Sequence, residues 1–228
     1  MHNVLSQSLN TTLKLSRIID HVVGSKTGPT ILFFGGIHGN ESSGVFALSK
    51  VFDELHGIKH QIRGNAYAIG GNLPALERGK RYCTVDLNRI WTDERIKALK
   101  QHDNQQMNED EKEQQEIFET VERIVESNSG PFYFIDLHTT SSETIPFVVF
   151  SDSMINRKFA ENFPLPLILG IEEYLDGALL SYYNSLGYVS IGYEAGHHDD
   201  LASYENHIAF IYLCMVFTGI LSKKDIDF

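Results

Sequence analysis

Short apolar runs that end at glycine, or at a side chain with chemistry to offer, constrain this chain more than any other feature. Residues 30–34 stop at Gly35-Gly36 and residues 65–69 stop at Gly70-Gly71. Residues 132–136 lead into Leu137-His138, and residues 188–193 lead into Glu194. Runs of this length between breakers read as strands buried on both faces. Residues 145–150 and 165–169 read as further strands, and 17–23 alternates like an edge strand. Lys26-Thr27-Gly28-Pro29 reads as a turn. Helical patterns separate the runs. Residues 42–56 put Val45, Leu48, Val51, Phe52 and Leu55 on one face. Asn108 with Glu111 matches a capping box, and Ile117, Val121, Ile124 and Val125 then form one stripe. Helices are also expected over 154–162, 178–186 and 201–221. The alternation predicts an α/β fold: a mixed, mostly parallel central sheet with helices on both faces. Residues 72–107 are polar and irregular, which predicts a long functional loop.

Composition narrows the partners. The chain has 228 residues and a net charge of -11, which argues against nucleic acid or an anionic membrane surface. Residues 103–126 hold nine acids (Asp103, Glu109, Asp110, Glu111, Glu113, Glu116, Glu119, Glu122, Glu126) against two bases, and read as a solvated helix face. The longest apolar stretch, 208–221, is shorter than the ~20 residues of a membrane span and predicts a buried helix. The first twenty residues lack the pattern of a secretory signal. Cys83 and Cys214 form no motif, so no disulfide framework is expected and a cytoplasmic location is.

Four pieces carry chemistry, each just beyond a predicted strand, where open α/β sheets place ligands. His38 and Glu41, three apart in Gly35-Gly36-Ile37-His38-Gly39-Asn40-Glu41, can share one metal. Alone the pair is a weak signal that better suits a surface turn. His138 closes its strand, and Asp136 shares its face and can orient the imidazole. Asp86-Leu87-Asn88-Arg89 offers an amide and a guanidinium to one carboxylate, and Arg81 can polarise a carbonyl or hold a second anion. Glu194 lies between glycines in Ile191-Gly192-Tyr193-Glu194-Ala195-Gly196, placed to move a proton from water to a leaving nitrogen. Together these pieces suit metal-assisted hydrolysis of an amide beside a carboxylate.

The segments GGIHGNESSGV, KRYCTVDLNRIW, FIDLHTTSS and GYEAG, in this order, resemble the succinylglutamate desuccinylase/aspartoacylase family, a branch of the zinc carboxypeptidase-like fold. The resemblance runs over residues 30–196. It implies one zinc ion per chain on His38, Glu41 and His138, with Glu194 as general base and proton shuttle. It implies that Asn88 and Arg89 hold the substrate's α-carboxylate and that Arg81 stabilises the oxyanion. The implied partner is a small N-acyl amino acid, which loses its acyl group. Members of the family carry a further β-rich domain, whereas this chain ends 34 residues past Glu194. One catalytic domain over residues 1–228, without that β domain, is therefore expected. The oligomeric state stays open, a homodimer included.

The nearest rival is a zinc carboxypeptidase acting on small peptides or cell-wall peptides with the same residues. A zinc-binding module without catalysis would have no use for Glu194. A serine hydrolase is disfavoured because no Gly-x-Ser-x-Gly occurs. His197-His198-Asp199-Asp200 reads as a polar loop and helix cap rather than a second metal site, and Trp91 as packing behind the clamp. His2, His21, His56, His60, His102 and His207 read as structural or exposed.

Overall fold

The computed structural model describes residues 1–101, 107–170 and 175–225. His102 and Asp103 lie outside the described residues. A hairpin of β1 (His2–Ser6) and β2 (Thr11–Leu15) opens the chain. The central sheet has seven strands among the described residues: β3 (Ile18–Val23), β4 (Lys26–Gly35), β5 (Arg63–Gly70), β6 (Phe132–Thr140), β7 (Phe147–Phe150), β8 (Leu167–Leu169) and β9 (Val189–His197). Their order across the sheet is β3-β5-β4-β6-β9-β7-β8. The middle strands β5, β4, β6 and β9 run parallel. β3 joins one edge antiparallel, and β7 with β8 closes the other side antiparallel to β9. The mixed, mostly parallel sheet predicted from the alternation is present.

Helices cover both faces. Helices α1 (Ser43–Gly57), α5 (Met154–Ala160) and α7 (Leu201–Phe217) pack on the face that carries Ile31, Phe33, Ile135 and Ile191. Helices α3 (Asp93–Lys100), α4 (Glu109–Ser127) and α6 (Leu179–Ser185) pack on Leu32, Phe34 and Phe134. Odd and even residues of one strand thus feed two separate cores, as the period of two requires. A third cluster joins Val4 and Leu15 of the hairpin to Val45 and Phe46 of α1 and to Leu73 and Leu76 of α2 (Leu73–Arg78). The capping box at Asn108 and Glu111 is formed in both directions. No helix among the described residues is long and apolar enough to cross a membrane.

Three expectations need correction. Residues 26–29 are not a turn but the start of β4: Lys26 pairs with Arg63, and the register shifts before Thr30. Gly28 permits this, since a Cβ there would sit 2.7 Å from the Arg63 carbonyl carbon. Residues 72–107 are not one irregular loop. They hold α2, a 3₁₀ turn at Leu87–Arg89 and α3. These short helices are set by caps rather than by apolar periodicity: Asn72 accepts from Ala75 N and Thr92 from Arg95 N. The acidic run is not all solvated, because Asp110 and Glu113 are buried.

Candidate active site

The loop after β4 owes its shape to glycine. Gly36 has φ +72°, and a Cβ on it would meet Leu76 of α2 at 2.6 Å. Gly39 lies against the backbone of α2, where a Cβ would stand 2.1 Å from the Ala75 carbonyl carbon. Backbone on both sides leaves little room to yield. Overpacking of this kind costs about 1–3 kcal/mol. At roughly 2–4 °C per kcal/mol for a chain of this size, Gly39→Ala is expected to lower the melting midpoint by a few degrees or more. A thermal melt that shows no change would mean that the loop is not pinned here.

That loop presents His38 and Glu41, and β6 presents His138. Their ligand atoms all lie within 4.8 Å of one another, and the three residues are buried. His38 Nδ1 is 3.0 Å from Glu41 Oε1, and His138 Nδ1 is 3.1 Å from Glu41 Oε2. The outer nitrogens are also engaged. His38 Nε2 donates to Asp86 at 3.1 Å and His138 Nε2 to Asp136 at 2.7 Å. Both rings thus turn Nδ1 inward while an aspartate fixes the far side. Zinc ligands sit ~2.0–2.2 Å from the ion, so two of them in tetrahedral array stand roughly 3.3 Å apart. The observed spacing and the imidazole–carboxylate donor set fit a zinc ion.

The charges are tightly coupled. Burial pulls the His38 pKa down, but hydrogen bonds to Asp86 and Glu41 outweigh it and raise the value. Burial acts likewise on His138, and Asp136 followed by Glu41 lifts it well above the ordinary range. Burial would raise the Glu41 pKa, yet the two imidazoles hold it far below the usual carboxylate range.

The remaining predicted residues line the same cavity of about 330 Å³, a size suited to a small molecule: Arg81, Asn88, Arg89 and Glu194. Glu194 stands beside His138 in the sheet. Its Oε2 is buried with no hydrogen-bond partner among the described residues. Burial raises its pKa. Arg81 pairs with Asp86 at 3.0 Å and lies 3.7 Å from Glu41. Asn88 Oδ1 accepts from Leu179 N at 2.9 Å. Arg89 Nη1 donates to the Asn88 carbonyl, and no described carboxylate pairs with it. Trp91 is buried and stacks on Tyr182 behind this turn.

Sequence reasoning gave no part in the site to Asp86, Asp110, His198 or His207. Asp86 links His38 to Arg81, 48 positions from the histidine. Asp110 accepts from three consecutive amides, Cys83 N, Thr84 N and Val85 N, and so shapes the strap between Arg81 and Asp86. The only hint was an acid at the start of a capped helix. His198 lines the cavity and bonds Thr139 Oγ1 at 2.7 Å, so the histidine pair is more than a polar loop. Asp200 occupies the cap position of α7 without a side-chain cap bond. His207 is fully buried beside Ser43, and burial pushes its pKa down to about 3.

Converging Nδ1 atoms with a carboxylate between them, and a buried carboxylate alongside, at the carboxyl ends of parallel strands, form a cluster that could hold a metal ion in an α/β fold. The model of the succinylglutamate desuccinylase/aspartoacylase catalytic domain matches residues 27–210, and the chain belongs to that family. It is 32% identical over 146 residues to a probable aspartoacylase of Prochlorococcus marinus, covering 61% of this chain and 45% of that protein. It is 28% identical over 172 residues to a succinylglutamate desuccinylase of Pseudoalteromonas atlantica, covering 70% and 47%. The crystal structure of succinylglutamate desuccinylase from Vibrio cholerae superposes with a TM-score of 0.71 at 15% identity, covering 96% of this chain and 66% of that one. The chain spans about half the length of the curated relatives it matches.

Proposed function

We propose that the chain is a zinc-dependent hydrolase that cleaves the amide bond of an N-acyl amino acid. The observation that carries this reading is Glu194: a buried carboxylate with an unpartnered oxygen, next to a His38-Glu41-His138 cluster that could hold a metal ion. Residues 1–228 are taken as one catalytic domain. The free thiols of Cys83 and Cys214 support a place in the reducing cytoplasm.

His38, Glu41 and His138 would hold the zinc, with Asp86 and Asp136 orienting the two imidazoles. Zinc bound there supplies a Lewis acid that polarises a carbonyl and makes water nucleophilic at neutral pH. Arg89, with the amide of Asn88, holds the α-carboxylate and so fixes the scissile amide over the cluster. Glu194 Oε2 takes the proton from the attacking water and delivers it to the departing amine nitrogen. A raised pKa suits both halves of that task. Arg81 shares the negative charge that develops on the carbonyl oxygen. Removing one such donor costs roughly 10²–10³ in kcat.

Amine release from N-acetyl-aspartate, N-succinyl-glutamate, N-acetyl-leucine and a blocked dipeptide tests the reading on zinc-loaded protein. Hydrolysis of at least one N-acyl amino acid, stopped by a chelator and restored by zinc, is expected. Turnover of the dipeptide alone would replace the deacylase with a carboxypeptidase.

A further inference from the structure

We infer that the part of the cavity receiving the amino-acid side chain is built by this chain for an uncharged, apolar one, of the kind carried by leucine, methionine or phenylalanine. The inference rests on the deacylase reading above and names its substrate class. Strand register supplies the first argument. His138, Glu194 and Phe147 are neighbours across β6, β9 and β7. Asp136, Gly192 and Val149 form the next row on the same face. On β7, Phe147 and Val149 are partly open while Val148 and Phe150 are buried in the opposite core. The open pair lines the cavity.

Gly192 supplies the second. A Cβ there would sit 2.8 Å from Val149 Cγ2 and 3.4 Å from Leu180 Cδ1. The floor beside Gly192 is therefore made of the methyl groups of Val149 and Leu180, while Thr139, Thr140, Ser141 and His198 line other parts of the cavity. This floor is continuous with the carboxylate clamp. Asn88 Oδ1 accepts from Leu179 N, and Gly177 backs onto the Arg89 carbonyl, where a Cβ would stand at 2.3 Å. A ligand whose α-carboxylate reaches Arg89 thus lays its side chain against Leu180 and Val149.

Cation supply is the third argument. Arg81 and Arg89 are the sole Lys or Arg side chains among the described residues that line the cavity. Arg81 already faces Asp86 and Glu41. That leaves one guanidinium for one carboxylate. Residues 102–106, 171–174 and 226–228 contain no lysine or arginine in the sequence. The side-chain carboxylate of aspartate or glutamate would meet the methyl groups of Val149 and Leu180 with no lysine or arginine beside them, and an anion desolvated there without a counter-charge is disfavoured.

Calorimetric titration of the zinc-loaded protein with free L-leucine, L-phenylalanine, L-aspartate and L-glutamate reads the subsite without needing turnover. Leucine or phenylalanine is expected to bind at least tenfold more tightly than either acid, and kcat/KM for N-acetyl-leucine to exceed that for N-acetyl-aspartate by a similar factor. Val149→Arg, at a partly open position, is expected to reverse the order, with a melt reporting on its fold. Aspartate or glutamate binding as tightly as leucine overturns the inference, as does absence of binding by all four. Leucine binding without hydrolysis of any N-acyl amino acid would keep the subsite and remove the deacylase. Preferred hydrolysis of N-acetyl-aspartate would do the opposite.

Discussion

Glu194→Gln is expected to lower kcat by roughly 10²–10⁴-fold, the range for loss of a placed acid–base group, while zinc content stays at one per chain. The amide keeps the volume and fills the same place beside His138. It cannot take a proton from water, and it cannot hand one to the amine. KM should move little, because Arg89 and Asn88 hold the substrate rather than Glu194. Stability should change in the other direction. Burial raises the folded pKa of Glu194 above its unfolded value. Such a group contributes stability that is fully present below the unfolded pKa and is lost as pH rises through the folded one. Above that raised pKa the parent therefore carries an ionised carboxylate in a place that disfavours it. In chelator-treated protein at pH values above that raised pKa, the glutamine variant should melt no lower than the parent. Full activity in the variant would end the base assignment. A melt several degrees lower would make Glu194 a structural residue instead. Loss of activity with retained or higher stability is the pattern of a site built for chemistry at the expense of stability.

The framework of this site was legible because its parts are local. Strand ends, glycine turns and the spacing of His38 to Glu41 can all be read along the chain, and each of the seven predicted site residues borders the same cavity. What could not be read is what crosses the sheet. Asp86 meets His38 from 48 positions away, and His198 meets Thr139 from 59. Asp110 was hidden inside an acidic run that looked solvated, yet it holds the strap between two predicted residues. The apolar floor was hidden for a different reason. Phe147, Val149 and Leu180 look like ordinary strand and helix core, and only the register of β7 against β9 shows which of them face Glu194. The error at residues 26–29 has the same origin: glycine there serves a close backbone approach rather than a turn.

Stripping zinc with a chelator is expected to abolish turnover, and rebinding should release up to two protons per chain at pH values below the raised pKa values of His38 and His138. Both His38 and His138 have raised pKa values, through Asp86, Asp136 and the shared Glu41 overcoming burial. In zinc-free protein, at pH values below those raised values, each ring therefore holds two protons and donates from both nitrogens. Zinc needs the Nδ1 lone pair, so those protons must leave. The apparent affinity should then fall as pH drops, by up to a hundredfold per pH unit where both rings are protonated. Titrating zinc into the stripped protein in buffers of different ionisation enthalpy counts the protons directly. The same linkage predicts stabilisation. Zinc at about 1,000 times its Kd adds roughly 4 kcal/mol, which at ~2–4 °C per kcal/mol raises the melting midpoint by roughly 8–16 °C. Asp136→Asn separates the site from adventitious binding. It keeps the shape beside His138 but removes the charge that orients the ring, and zinc affinity should weaken by roughly 10–100-fold. If zinc bound with no proton release, and if Asp136→Asn left its affinity unchanged, the ion would sit somewhere other than between His38, Glu41 and His138.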